Sequence, residues 1–516
     1  MKDSPKPPTS PPVESSLDPD DWDRFRTLAH AVLDDAVDLL RTVRDRPVWR
    51  PVPLPVQAAL REPLPMDPLD LGDVYRQFRE RILPFPSGNI HPRFFGYVQG
   101  TGLAGGLLAE LLAATLNSNC GGRDHAALYV ERAVVGWCKT LFRFPETASG
   151  LLVSGTTLAN LTALRVASGA RVPQGAGTRS GPTGKWLVYT SEQAHNSIDK
   201  SLEMLGFRPD SLRKVPVDPL FRMDLRQLHR MVADDRRSGC KPFCVIGTAG
   251  TVNTGGIDDL ASLAGFCADN DLWFHVDGAF GALLVLSENL RSRVEGIERA
   301  DSLAFDFHKW MHVPYDAGCV LVRDGEAQRK TFSRPAPYLL RGKRGLSGGG
   351  EWPCDLGLEM SRGFRALKVW FAFKEHGCRR LGESVEQNCR QAAYLAGLIN
   401  RTPELELLAE PTLNIVCFRF RGAAGGHPDL DRLNEAIVAE LQESGLAAPS
   451  TTRVRGVAVV RVSLTNHRCR CEDLDLLVDA VVSVGRKLRG PAEFPEALDP
   501  GDASSAKGAS NALPER

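Results

Sequence analysis

The chain has 516 residues, more than a single hydrophobic core usually spans, so two or three domains are expected. Hydrophobic residues make up 43% and charged residues 24%, ordinary globular values that exclude a disordered or fibrous protein. Lys plus Arg and Asp plus Glu both number 63, which leaves no net field to recruit nucleic acid or an anionic membrane surface and favours a small-molecule ligand.

Residues 1–20, rich in Pro, Ser and Asp, cannot bury enough surface to order themselves and read as a disordered tail; residues 491–516 read likewise. The first residues lack the apolar stretch of a signal peptide and no apolar run reaches spanning length, so a cytoplasmic protein is expected. Apolar residues recur at helical spacing from Trp22 to about Arg44, through Phe25, Leu28, Val32, Val37 and Leu40, and again from Leu71 to Ile82. This predicts a helical N-terminal arm over 21–103. From Ala104 onward long helices alternate with short apolar runs, the pattern of an α/β domain with a mostly parallel sheet, bounded at 104–395. Its predicted strands are Leu187–Thr190, Phe243–Thr248, Leu272–Val276, Ser302–Phe305 and Cys319–Val322. Helices at Arg365–Gly377 and Ser384–Asn400 lead to a smaller α+β domain over 396–490, with strands at Thr412–Phe420 and Val457–Leu464. The twelve cysteines fit neither a disulfide scaffold nor a zinc ribbon and read as reduced and mostly buried. His467, Cys469 and Cys471 would share one face of a strand, but no fourth ligand is near, so no metal is expected.

Four pieces of sequence carry chemistry. In the run from Leu151 to Asn160, apolar residues give way to Ser154, Gly155 and Thr156 and then to a helical pattern, so free amides, hydroxyls and a helix dipole can cradle a phosphate. Taken alone, such a stretch is more often a plain helix cap. His195 follows the strand ending at Thr190, where its flat ring could stack on an aromatic cofactor; the bland reading is an incidental loop histidine. Asp277 follows an apolar strand and precedes Gly278 and Ala279, so its carboxylate can meet a flat ring edge-on and keep a pyridine nitrogen protonated; it could equally cap a helix. Asp306, His308 and Lys309 follow the next strand, where a partly desolvated amine could form an imine with an aldehyde, unless Lys309 is an edge lysine reaching water. All four fall at strand ends, where an open parallel sheet binds its ligand. Their order is what makes the set specific.

With these pieces in this order the chain resembles the group II pyridoxal-phosphate decarboxylases, which include aromatic-L-amino-acid, histidine, glutamate and sulfinoalanine decarboxylases. The resemblance spans about Asp70 to Val484 and includes HPRFFGYVQG at His91–Gly100, GTAGTVNTGGIDD at Gly247–Asp259 and SRGFRALKVW at Ser361–Trp370. It implies a fold type I architecture with a mostly parallel seven-stranded sheet, a homodimer with shared active sites, and pyridoxal 5'-phosphate as cofactor. By resemblance Lys309 holds the cofactor, Asp277 pairs with its ring nitrogen, His195 stacks on one face and Ala279 packs on the other. Ser154, Gly155, Thr156 and His308 match positions around the phosphate with Asp306 beside them, Thr248 lies near the ring, and Arg461 is near the active site. The reaction implied is α-decarboxylation of an L-amino acid to a primary amine, the bond held perpendicular to the ring being the one that breaks.

One departure bears on the outcome. Many members carry a proton-donating tyrosine on a loop ahead of the SRGFRALKVW-like segment, but the stretch 341–359 holds none and Tyr338 lies just before it. Its glycines favour a mobile lid. In relatives, loss of that tyrosine can divert the reaction to oxidative deamination and an aldehyde. In the family the segment after His91 lines the substrate pocket, and here Phe94, Phe95 and Tyr97 suggest an aromatic or apolar substrate, with acidic amino acids as the alternative. A catalytically silent binding protein is the third reading, and retention of Lys309 and Asp277 argues against it.

Overall fold

The computed structural model describes residues 15–173, 185–334, 341–422 and 429–489; most of the two expected tails and Tyr338 lie outside them. The larger sheet comprises β1 (Ser149–Val153), β2 (Trp186–Ser191), β3 (Leu212–Val215), β4 (Lys241–Thr248), β5 (Trp273–Asp277), β6 (Ser302–Asp306) and β7 (Gly318–Val322), in the order β1-β7-β6-β5-β4-β2-β3. Strands β3, β2, β4, β5 and β6 are parallel neighbours, and β7 runs antiparallel between β6 and β1. The expected α/β fold with a mainly parallel seven-stranded sheet is thus what the chain adopts. A second sheet, wholly antiparallel, joins β8 (Leu405–Ala409), β9 (Ile415–Phe420), β10 (Ser450–Val454) and β11 (Val457–Ser463) in the order β10-β11-β9-β8.

Alternation along the strands builds two cores. Successive side chains point to opposite faces. Leu303 and Phe305 therefore pack with Val134, Cys138 and Phe373 from helices Ala126–Leu141 and Arg365–Arg401. Ala304, Val320 and Val322 face Ala159, Ala163 and Val166 of the helix Thr156–Arg171. With both faces covered, β5, β6 and β7 are buried at every position, which is why they read as predominantly apolar runs without a polar face.

Strands β3, β8 and β10, which the apolar pattern does not predict, are all sheet edges. Their sequences, such as Leu-Arg-Lys-Val and Ser-Thr-Thr-Arg-Val, mix charged or hydroxylated residues into short runs because one side of each faces no neighbour. The two helices expected in 365–400 meet at a break at Gly377, whose φ of 64° and ψ of 163° leave the helical region; the second starts directly after this break, ahead of the expected Ser384, and runs to Arg401. In the stretch 341–359, Trp352 is buried with the Arg123 and Arg341 guanidinium groups over its ring, and Arg341 pairs with Asp355.

The helices Trp22–Arg41 and Leu71–Arg81 bury none of their residues. The chain around them is tied to the smaller sheet. Arg44 pairs with Asp473 at 2.7 Å, Val48 N donates to Gly445 O at 2.8 Å, and Phe95 belongs to the same core as Phe418 and Leu474. Beyond Phe95 the chain passes into the cleft described below. Among the described residues no helix is long and apolar enough to cross a membrane.

Burial also holds several histidines neutral. His275 and His467 are pulled down to about 3 and His91 to about 4, while His312 lies well below its ordinary value; desolvation is the first cause in each case. Free imidazole titrates near 6.5. As the pH falls below that value the unfolded chain takes up protons that the folded chain refuses, so the associated stability is complete above about pH 6.5 and drains away toward the folded values. The midpoint of urea unfolding should be nearly flat above pH 7 and fall steeply between pH 6.5 and 4.5. A midpoint unchanged down to pH 4.5 would contradict this reading.

Candidate active site

The parallel strands deliver polar residues to one edge of the larger sheet. Thr248 ends β4 opposite Asp277, which ends β5, and Asp306 ends β6 opposite Gly318. Val153, at the end of β1, pairs with the other side of Gly318. A Cβ on Gly318 would lie 2.6 Å from Gly155 Cα and 2.7 Å from Asp306 Oδ1, so glycine there lets the Ser154–Thr156 turn close onto the strand ends. The turn is fixed from the other side too, since Thr156 N donates to Asp306 Oδ1 at 2.7 Å. Together these residues line a cleft of about 600 Å³. A larger depression of about 870 Å³ beside Arg291 and Glu386 is lined by Arg and Glu side chains but by no Lys, His or Asp, so chemistry rather than size distinguishes the site.

Lys309 sits between two buried anchors, Phe307 and Trp310, the indole of which donates to Asn388 Oδ1 at 3.0 Å. Its ammonium lies 3.0 Å from Asp306 Oδ2, and its side chain keeps 22% exposure toward the cleft. Next to it, His308 Nδ1 accepts from Ala317 N at 3.0 Å, which leaves Nε2 to carry the proton of a neutral ring. Burial lowers the His308 pKa against the opposing pull of Asp306.

Asp277 accepts from Asn160 Nδ2 at 3.0 Å through Oδ2 and from Ala279 N at 3.2 Å through Oδ1. Desolvation nevertheless raises its pKa, with Lys309, Asn160 and His195 acting in the other direction. His195 Nδ1 accepts from Ser197 N at 3.2 Å, which fixes its ring at the start of the helix Ser197–Met204. Its pKa is lowered by desolvation, with Asp277 opposing and Lys309 adding to the shift. Two hydroxyl oxygens, Thr156 Oγ1 and Thr248 Oγ1, are buried without a hydrogen-bond partner and belong to residues lining the cleft. Orphaned buried hydroxyls at a site wall are what a cofactor with phosphate and ring oxygens would satisfy. The donor set therefore fits pyridoxal phosphate.

Of the residues singled out from sequence, Ser154, Gly155, Thr156, His195, Thr248, Asp277, Ala279, Asp306, His308, Lys309, Tyr97 and Arg461 line this one cleft. Phe94 does not: it bridges to Ala448 at the smaller sheet and lies near Gly88 and Gly96. Phe95 is spent on the core of the smaller sheet and does not line the cleft either. Arg461 reaches in from β11 and is almost fully buried. Its guanidinium donates to the carbonyls of Tyr97 (3.2 Å), Asn253 (3.2 Å) and Val252, with no carboxylate partner among these bonds, and burial pulls its pKa down to about 10. Tyr97 is held in the left-handed region at φ 59°. Sequence reasoning passes over Asn160, Asn253 and Tyr315, which also shape the site. The Tyr315 ring packs against His308, tilted by 35° with centroids 4.4 Å apart. Only the helical phase of Asn160, four residues after Thr156, could have flagged it.

Comparison with known proteins agrees with this geometry. Residues 53–421 match the family model described as the pyridoxal-dependent decarboxylase conserved domain. The chain is 32% identical over 456 residues to an aromatic-L-amino-acid decarboxylase of Bacillus atrophaeus, an alignment covering 88% of this chain and 93% of that one. It is 26% identical over 458 residues to a phenylacetaldehyde synthase of Arabidopsis thaliana, covering 87% and 93%. In fold it is similar to Oryza sativa TDC solved with PLP and tryptamine, with a TM-score of 0.84 at 23% identity over 92% of this chain and 100% of that one. The chain belongs to the pyridoxal-dependent decarboxylase family and is a pyridoxal-phosphate-dependent amino-acid decarboxylase.

Proposed function

We propose that this decarboxylase acts on an aromatic L-amino acid and releases the primary amine and carbon dioxide. The wall of the cleft carries the reading. Tyr97, Val98 and Phe280 supply aromatic and apolar surface, and among the described lining residues the Lys and Arg side chains are Lys309 and Arg461 alone. A dicarboxylic substrate needs a further cation for its side chain, whereas a monocarboxylic one does not. The relative from Bacillus atrophaeus, named for aromatic L-amino acids, supports the same substrate class.

Pyridoxal phosphate, when bound, supplies an electron sink for the carbanion left as carbon dioxide departs. The residues of this chain hold and orient it. Lys309 is the covalent anchor, with Asp306 beside its amine. Ser154, Gly155, Thr156 and His308 would hold its phosphate, Thr248, His195 and Ala279 would hold its ring, and Asp277 would keep the ring nitrogen protonated. The uncompensated charge of Arg461 draws the substrate carboxylate into the cleft. Because Gly318 admits no side chain, Gly318→Ala should push the phosphate turn outward and weaken pyridoxal phosphate binding by roughly tenfold or more, as overpacking usually does. Reconstitution titrations of the purified protein check this, and unchanged affinity would remove the phosphate turn from its proposed role.

Incubating the enzyme with L-phenylalanine, L-tyrosine, L-tryptophan, L-leucine, L-glutamate and L-aspartate tests the substrate class. An aromatic substrate should lead in kcat/KM, with one amine formed per carbon dioxide. Preference for glutamate or aspartate would sink the proposal. The absence of tyrosine from 341–359 favours a second product route, in which oxygen and water are consumed and aldehyde, ammonia and peroxide appear with the carbon dioxide. Peroxide formed in step with carbon dioxide would establish that route instead.

We also propose a cytoplasmic homodimer. The twelve cysteines are free thiols, two of them exposed, as suits a reducing compartment. The helix Ala104–Leu116 presents Leu108, Leu111, Leu112 and Leu116 to solvent, and the N-terminal helices add Trp22, Val37, Val74 and Phe78. So much exposed apolar surface on helices calls for a cover. Sedimentation should give twice the chain mass, and Leu111→Glu combined with Leu112→Glu should give a monomer; a monomeric parent protein would refute the dimer.

A further inference from the structure

Behind Asp277 lies a row of buried polar side chains outside the cleft. Asn160 Nδ2 donates to Asp277 Oδ2 at 3.0 Å and to Ser197 Oγ at 3.2 Å, while Asn160 Oδ1 lies 2.9 Å from His275 Nε2. His275 Nδ1 lies 2.9 Å from Ser302 Oγ, which accepts from Trp273 Nε1 at 2.8 Å. Asn160, His275 and Ser302 have no exposed surface at all. The fold places them together: Trp273, His275 and Asp277 alternate onto one face of β5, Ser302 is the register partner of His275 on β6, and Asn160 comes from the helix packed on that face.

Donor and acceptor capacity fixes every direction in the row. An indole N–H only donates, so Ser302 Oγ accepts from Trp273 and its own proton is free for His275 Nδ1. Burial keeps His275 neutral, so it has one N–H, and that must be on Nε2 because Asn160 Oδ1 can only accept. The Asn160 amide therefore turns its N–H toward the carboxylate. The opposite orientation would set two acceptors against each other. Burying this many polar groups where apolar packing would suffice is costly unless they act together. Their common terminus is Asp277, whose ionised form is opposed by desolvation and favoured by the bond from Asn160.

We propose that Trp273, Ser302, His275 and Asn160 form a positioning relay that keeps the Asp277 carboxylate ionised and aimed at the ring nitrogen of pyridoxal phosphate. The relay rests on the pairing of Asp277 with that nitrogen. None of its members touches the cofactor; they act through Asp277.

The test compares holoenzymes carrying Asn160→Ala, His275→Leu, His275→Gln, Ser302→Ala and Asp277→Ala. Three quantities are read: the dissociation constant for pyridoxal phosphate, the pH dependence of the bound cofactor's absorbance, and the melting temperature without cofactor. Asn160→Ala and His275→Leu should weaken cofactor binding roughly tenfold or more and displace the absorbance titration, as expected for losing a hydrogen bond to a buried charge. His275→Gln, whose amide can donate from nearly the same place, should recover most of the loss. These changes should not follow the melting temperature of the cofactor-free protein. Asn160→Ala with parental affinity and titration overturns the relay, as does His275→Gln behaving like His275→Leu. If Asn160→Ala does not fold, Ser302→Ala, which removes a single hydroxyl far from the cofactor, decides: an undisplaced titration overturns the relay. Parental cofactor affinity in Asp277→Ala would instead overturn the pairing itself, so the two failures are distinguishable.

Discussion

The Asp277 carboxylate ends the central strand β5 with 4% of its surface exposed, and desolvation there favours the neutral acid. A buried carboxylate stays charged only where hydrogen bonds and opposite charges replace the water it has lost. Much of the larger unit supplies these: the Ala279 amide and Asn160 as donors, and Lys309 and His195 as neighbours across the cleft. The parallel sheet makes this convergence inexpensive in chain. Each strand ends at the same edge, so Thr248, Asp277 and Asp306 come together from segments far apart in sequence without a long loop.

Close approach is the second constraint, and glycine meets it. Gly318 lies between the ends of β1 and β6 with no room for a Cβ. Gly100 does the same on the other side, where a Cβ would stand 2.1 Å from the His308 carbonyl and 2.5 Å from that of Lys309. The backbone bearing Lys309 is thus clamped between the larger sheet and the segment arriving from the smaller one. That segment is itself stitched to β11, since Ser463 N donates to Phe95 O at 2.8 Å. The smaller sheet in this way sets the position of both Tyr97 and Arg461.

How much of this was legible in the sequence follows from the physics of each element. The central strands were visible because both faces are buried and apolar residues dominate each run, with His275 and Ser302 as interruptions and Asp277 and Asp306 at the ends. The edge strands β3 and β10 were not, because an unpaired side tolerates Arg, Lys and Thr and erases the pattern. Lys309, Asp277 and His195 stood out as polar groups directly after apolar strands. Asn160 stood inside a helix of small and apolar residues, and His275 inside a strand, where each reads as an ordinary polar interruption; only the register of β5 against β6 and the packing of the helix make them neighbours. Phe94 and Phe95 show the limit of composition. Adjacent aromatics in a substrate-lining segment look equivalent, yet neither lines the cleft, and Tyr97 does so because its backbone turns through a positive φ.

Asp277 and Arg461 give the cleft a charge of each sign without a mutual partner. Asp277 accepts from neutral donors, with Lys309 and His195 as neighbours across the cleft, and Arg461 donates to backbone carbonyls, so each is satisfied in hydrogen bonds without a direct ion pair among the described residues. In the proposed roles a protonated ring nitrogen would balance the first and an amino-acid carboxylate the second. Left empty, such a site holds two buried charges against desolvation, a burden on the folded state that binding relieves. Ligand affinity and fold stability are then linked through the same groups: what binds the native cleft and not the unfolded chain stabilises the protein by mass action. The polar row behind Asp277 fits this economy, since it holds one of the two charges ready in a fixed orientation before the cofactor arrives, so that binding need not spend free energy on arranging it.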